Sequence, residues 1–136
     1  MSQTNQQSIR DFFRNVATGG NVAAADEYMD PAAVDHAPWP GHPANRDGFK
    51  AGLAEMRTSF PDFAITVERM ITEDDLVVAH TTMSGTHLGE FMGIAGSGKT
   101  FNVEAIDILR MKDGKIAEHW GVIDEAGMAE QLGLAP

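Results

Sequence analysis

FPDFAITVERMITEDDLVVAH, residues 60–80, is where the pattern of the chain changes. Before Pro61 the apolar residues recur at helical spacing. Ile9, Phe12, Phe13 and Val16 follow i, i+3, i+4, i+7, and Phe49, Leu53, Met56 and Phe60 form a second stripe. After Pro61 the period falls to 2. Phe63, Ile65, Val67 and Ile71 lie on one side of a predicted strand, the turn-like TEDD comes next, and LVVAHTTMSGTH continues as a second strand. TFNVEAIDILRM and KIAEHWGVI make two more, joined by KDG. Helices first and an antiparallel meander afterwards predict an α+β domain, a curved sheet with helices on one face.

The boundaries rest on local chemistry. Gly19-Gly20 stops the first helix. Asn21 caps a short second one carrying Val22, Ala25, Tyr28 and Met29, which ends before Asp30-Pro31. AVDHAPWPGHP, residues 33–43, carries Pro38, Pro40 and Pro43, and reads as an extended segment or loop with at most one short strand. Asn45 caps a third helix that Pro61 ends. Asp124 caps a last short helix, with Gly133 just past its end.

With 136 residues, the chain fits one domain over residues 1–136. A net charge of −10 repels phosphate backbones and anionic lipid, so nucleic acid and membrane surfaces are excluded as partners. There is no Cys, which excludes disulfides and thiol catalysis. The polar start MSQTNQQSIR shows no secretory signal, and no apolar run approaches the roughly 20 residues of a membrane helix, so a cytoplasmic protein is expected.

GIAGSGKT, residues 93–100, fits the phosphate-loop pattern letter for letter. A phosphate loop must feed a helix whose N-terminus faces the anion. Here the downstream residues TFNVEAIDILRM alternate with period 2 and are rich in β-branched side chains. The stretch is therefore expected to be a glycine-rich connection between antiparallel strands, with Lys99 in solvent. No metal site is expected either, since there is no H-x-x-x-H pair and no His/Asp cluster at zinc spacing. A G-x-S-x-G elbow is also absent.

The chemistry concentrates in AIDILRMKDGKIAEHWGVID, residues 105–124. A two-residue Asp113-Gly114 turn would set Asp107 opposite Trp120; a three-residue loop, with Gly114 in the left-handed region, would set it opposite His119. The three-residue loop is expected, because a type I turn suits Lys112-Asp113. It puts Asp107, Leu109, Ala117, His119, Gly121 and Ile123 on one face, and Ile106, Ile108, Arg110, Glu118, Trp120 and Val122 on the other. An Asp across from a His among apolar neighbours is either a general acid/base pair or a satisfied polar pair within a sheet. His36 is a candidate for the pocket mouth or a solvated loop histidine, and Trp39 a pocket wall or a packing residue. His80 and His87 have no evident partner.

GTHLGEFMGIAGSGK, the residue 105–124 hairpin and the closing QLG resemble the SnoaL-like polyketide cyclase and ester cyclase group of the NTF2-like superfamily. The similarity runs from about Val34 to Gly133. The resemblance implies an NTF2-like cone, its curved antiparallel sheet wrapped around a deep apolar pocket that the N-terminal helices close. It further implies homodimerisation through the outer face of the sheet, and cofactor-free intramolecular aldol ring closure with an aspartate as acid/base. On that basis Asp107, His119 and His36 are the catalytic candidates, with Trp39, Leu109, Ile123 and Phe91 as substrate-binding residues and a hydrophobic carbonyl compound as substrate. Relatives are expected to carry an acidic residue directly after the EHW piece, where this chain has Gly121. The alternative is a non-catalytic ligand-binding or dimerisation module with the same pocket.

Overall fold

The computed structural model describes residues 2–134. Helix α1 (Ser2–Phe12) runs into a π-helical turn (Phe13–Thr18), then a short 3-10 turn (Val22–Ala24) and α2 (Ala25–Tyr28). Strand β1 (Met29–Asp35) and helix α3 (Arg46–Ser59) come next. The meander is β2 (Ala64–Glu73), β3 (Leu76–Thr86), β4 (Thr100–Lys112) and β5 (Lys115–Ile123), closed by α4 (Glu125–Leu132). The predicted caps are formed: the side chains of Asn21, Asn45 and Asp124 accept from the backbone N–H groups of Ala24, Gly48 and Gly127.

The five strands form one sheet in the order β1-β5-β4-β3-β2. The sheet is not purely antiparallel as expected, because β1 pairs parallel to β5. The strand also begins earlier than the sequence implied, running through Asp30-Pro31, and its register breaks between Met29 and Val34. Pro31 lacks an N–H, so it is tolerated on this edge strand at a bulge. A second bulge, between Val67 and Arg69, reverses the alternation of β2 and turns Ile71 out, where it is 64% exposed.

One face of the sheet carries the core. Val77, Ala79 and Met83 on β3 and Phe101, Val103, Leu109 and Met111 on β4 are buried against Ile9, Phe12, Phe13, Val16, Leu53 and Met56 of the helices. The helices therefore cover the face that includes Asp107, and the opposite face, with Ile106 and Val122, stays uncovered within the chain. Among the described residues no helix is long and apolar enough to cross a membrane.

GIAGSGKT ends a connection between β3 and β4, and Thr100 begins a strand. The helix that would complete an anion site is a strand. Calorimetric titration with MgATP should give no binding. Micromolar binding abolished by Lys99→Ala would contradict this reading.

Candidate functional site

Three strands bring acidic and basic side chains to one point on the concave face. β5 supplies His119, β4 supplies Asp107 and β1 supplies Asp35. The hairpin that sets them was expected to turn through three residues. Instead Lys112 pairs with Lys115 across a two-residue turn, Asp113 at φ 52° and Gly114 at φ 78°. Both central residues have positive φ, the geometry that matches strand twist in a tight hairpin. A bulge between Arg110 and Met111 then leaves Ala117 as the extra residue and shifts the pairing once more. The two departures cancel in parity, so the expected faces are found. The pairing itself differs: His119 is opposite Leu109, Asp107 is opposite Gly121, and His119 and Asp107 are diagonal neighbours.

His119 Nδ1 lies 2.8 Å from Asp35 Oδ1, and Nε2 lies 2.8 Å from Asp107 Oδ1. A carboxylate only accepts, so both ring nitrogens donate and the ring is an imidazolium. Asp35 Oδ1 also accepts the Ala37 N–H at 2.9 Å, which fixes the carboxylate where the chain leaves β1. The three side chains are not equally covered. Asp35 is 4% exposed, while His119 and Asp107 are 22% and 19% exposed. Asp35 is thus a buried anchor, and Asp107 stays partly exposed.

Burial disfavours a charged ring, but the hydrogen bonds and charges of Asp107 and Asp35 outweigh it and raise the His119 pKa from 6.5 to about 9. Burial likewise pushes the Asp35 carboxyl up, and the His119 hydrogen bond and charge overcome it, leaving Asp35 below its ordinary 3.8. The His119 contribution to stability is complete below pH 6.5 and lost as pH rises through about 9. That of Asp35 has the opposite sign, present above pH 3.8 and lost as pH falls through its lower native value. The His119 shift corresponds to about 3 kcal/mol. Denaturant unfolding from about pH 6 to about pH 10 should show a decline in the parent that His119→Gln lacks; identical slopes would mean that His119 is not held charged.

Gly121 completes the geometry. A Cβ at this position would lie 2.8 Å from Asp107 Oδ1 and 3.0 Å from His119 Nε2. The carboxylate and the ring edge therefore fill the space that a side chain at residue 121 would need. The acidic residue expected after the EHW piece is absent, and Asp107 places a carboxylate there from the facing strand.

Comparison with known proteins identifies the family. The family described as SnoaL-like polyketide cyclase matches residues 7–132. This chain belongs to the SnoaL-like polyketide cyclase family. An aklanonic acid methyl ester cyclase of Streptomyces galilaeus is 33% identical over 131 residues, covering 93% of this chain and 88% of that protein. A second, from Streptomyces peucetius, is 32% identical over 108 residues, 79% of this chain and 72% of that protein. Among solved structures, TsrD from Streptomyces laurentii superposes with a TM-score of 0.87 at 28% identity, covering 98% of this chain and 97% of its own. IdmH from Streptomyces antibioticus gives 0.84 at 30% identity over 95% of this chain and 98% of its own.

Within this SnoaL-like domain the other expected site residues are spread over both faces of the sheet. His36 is corrected: it does not reach the concave face. β1 alternates, so Asp35 points in and His36 points out, where His36 stacks on Trp120 at 5.0 Å and its Nε2 lies 2.6 Å from Glu118 Oε2. The hydrogen bonds from His36 and Arg110 hold the Glu118 carboxyl below its usual range. Leu109 is 2% exposed and directly across from His119, so it supports the ring from the core. Trp39 lies over Gly52 of α3 with its edge toward Phe63, and Phe91 packs on Phe60 at 5.0 Å. Ile123 sits on the concave face of β5, opposite Ala105, half-buried. The two histidines without an evident partner have partners: His80 pairs with Glu104 at 2.7 Å, and buried His87 meets Ser97 Oγ and the Ile94 carbonyl.

Asp35 is the residue that sequence reasoning missed. Its only local signal is the alternation of Ala33 and Asp35 with Val34 and His36, and three prolines downstream hide that strand. Among the described residues no group of three His, Cys, Asp or Glu side chains is arranged to hold a metal ion.

Proposed function

We propose that this protein closes a ring in a polyketide-derived methyl ester, of the aklanonic acid methyl ester type, by an intramolecular aldol reaction without a cofactor. The observation that carries the reading is the partly exposed Asp107 carboxylate, whose Oδ1 is held by the His119 imidazolium. In this reading the free oxygen of Asp107 takes a proton from a carbon flanked by carbonyls. The enolate carbon attacks a ketone of the same molecule, a C–C bond forms, and the carbonyl electron pair moves to oxygen. Asp107 then returns its proton to that alkoxide. Atoms balance without any co-reactant, since the product is an isomer of the substrate. His119 stays charged throughout and stabilises the carboxylate and the developing enolate by its field. Asp35 holds the ring in place. His36, on the outer face, takes no part.

Incubation with aklanonic acid methyl ester should give a product of unchanged mass and altered retention. No conversion, under conditions where the Streptomyces peucetius enzyme converts it, would favour the alternative reading of a ligand-binding module.

The same reading includes a homodimer. Ile106, Ile108, Trp120 and Val122 form an outer face, Val122 being 70% exposed, and the chain's own helices lie on the other side. Light scattering should give twice the 14.7 kDa chain mass at micromolar concentration. The monomer mass would mean that the face stays in water.

A further inference from the structure

The outer face of the sheet carries its own pattern of charge. Residues directly opposite in the ladders share a face, so two rows cross it: Ile71, Val78, Ile108 and Trp120, then Arg69, His80, Ile106 and Val122. Charged side chains frame these rows. At one end Glu73 is in line with Arg110 and Glu118, and Asp30 and Lys112 lie beside Val34 and Arg110. At the other end Glu104 and Asp124 line a cleft of about 300 Å³ with His80, and Glu68 accepts a hydrogen bond from Thr82. The strands and their ends thus present six carboxylates on this face against three fixed cations, a charge of −3.

Two histidines stand on the same face, and each is bonded to one of those carboxylates. His80 Nε2 lies 2.7 Å from Glu104 Oε1, with Arg69 opposite on β2 and Asp124 in the same cleft. His36 Nε2 lies 2.6 Å from Glu118 Oε2 and stacks on Trp120, while Arg110 holds the other oxygen of Glu118. With both rings charged the face falls to −1. The other three histidines are elsewhere: His42 on Glu55 of α3, His87 buried beside Ser97, and His119 on the concave face.

We propose that protonation of His36 and His80 controls the association of two copies through this face, the dimer tightening as pH falls. The inference rests on the homodimer reading and adds its regulation. Two copies stacked outer face to outer face bring like charge onto like charge, and such juxtaposition opposes binding. A charged ring turns each histidine contact into an ion pair, cancels the carboxylate that it touches, and leaves less uncompensated charge to cover. The sign also identifies the occupant, because a basic partner on this acidic face would bind more weakly as pH falls.

Sedimentation equilibrium of the full chain at about pH 8 and about pH 6, on either side of the ordinary imidazole range, reads the effect. Uptake of about one proton per dimer over about one pH unit changes the dissociation constant about tenfold, so Kd should fall about 10-fold or more between the two. The double variant His36→Gln, His80→Gln should lose the dependence, and His42→Gln should keep it. Glu104→Gln, which removes a carboxylate and leaves both rings, should tighten the dimer at about pH 8. A dimer whose Kd is the same at both pH values, rises as pH falls, or keeps its dependence in the double variant would overturn the control and leave the homodimer standing. A monomer at both pH values would remove the homodimer and its control together.

Discussion

Asp107→Asn should lower turnover of aklanonic acid methyl ester by about 10²-fold or more while leaving the fold intact. The substitution is nearly isosteric. An amide oxygen can still accept the His119 Nε2 proton at the same 2.8 Å position, so the ring keeps its place. What disappears is the second carboxylate oxygen, the proposed acceptor of the substrate proton. His119→Ala should cost a similar factor by another route, since the carboxylate then loses the charge and hydrogen bond that hold its other oxygen. Because the two act as one unit, the double variant should cost little beyond the worse single. Circular dichroism and thermal unfolding check that the variants are folded. Asp107→Asn turning over within threefold of the parent would remove Asp107 as the base and leave the fold and the family untouched.

The elements that were legible in the sequence are those with a strong local signal. The change of period at Pro61 marked the meander, and Asn21, Asn45 and Asp124 marked helix starts that the structure confirms. GIAGSGKT was recognisable as a connection because its downstream neighbours alternate. What the sequence hid were the bulges. A bulge adds one residue to one strand, and no composition rule announces it, yet each one inverts a face. The bulge between Val67 and Arg69 turned Ile71 from core to surface. At Ala117 a bulge compensated for a turn shorter by one residue than expected, so the faces were right although the hairpin was not. The parallel pairing of β1 with β5 was equally hidden, because it joins residues that lie 84 positions apart, as in the Asp35–His119 contact. That pairing delivers Asp35 and removes His36. Half of the acid–base chemistry around His119 was therefore readable from one hairpin, and the other half depends on a long-range pairing with no sequence signature.

Asp35 carries the second large effect, and it separates into stability and chemistry. Asp35→Ala strips the buried partner from an imidazolium and the acceptor from the Ala37 N–H. Removing one member of a buried ion pair costs about 3 kcal/mol or more, and chemical denaturation should show a loss of that order. Asp35→Asn is the sharper probe, because its amide oxygen keeps both hydrogen bonds while the negative charge is gone. With one carboxylate instead of two, the His119 pKa should fall from about 9 toward its ordinary value of 6.5. If turnover needs His119 charged, the parent's activity is lost as pH rises through about 9, and in Asp35→Asn that alkaline limb should move to lower pH. A residue that merely stiffened the strand would lower activity at every pH and leave the limb in place. Titration of the His119 ring by NMR reads the same shift without any substrate. An Asp35→Asn variant whose ring titrates as in the parent would show that Asp107 alone sets the charge of His119, and would reduce Asp35 to the cap of the loop that begins at Ala37.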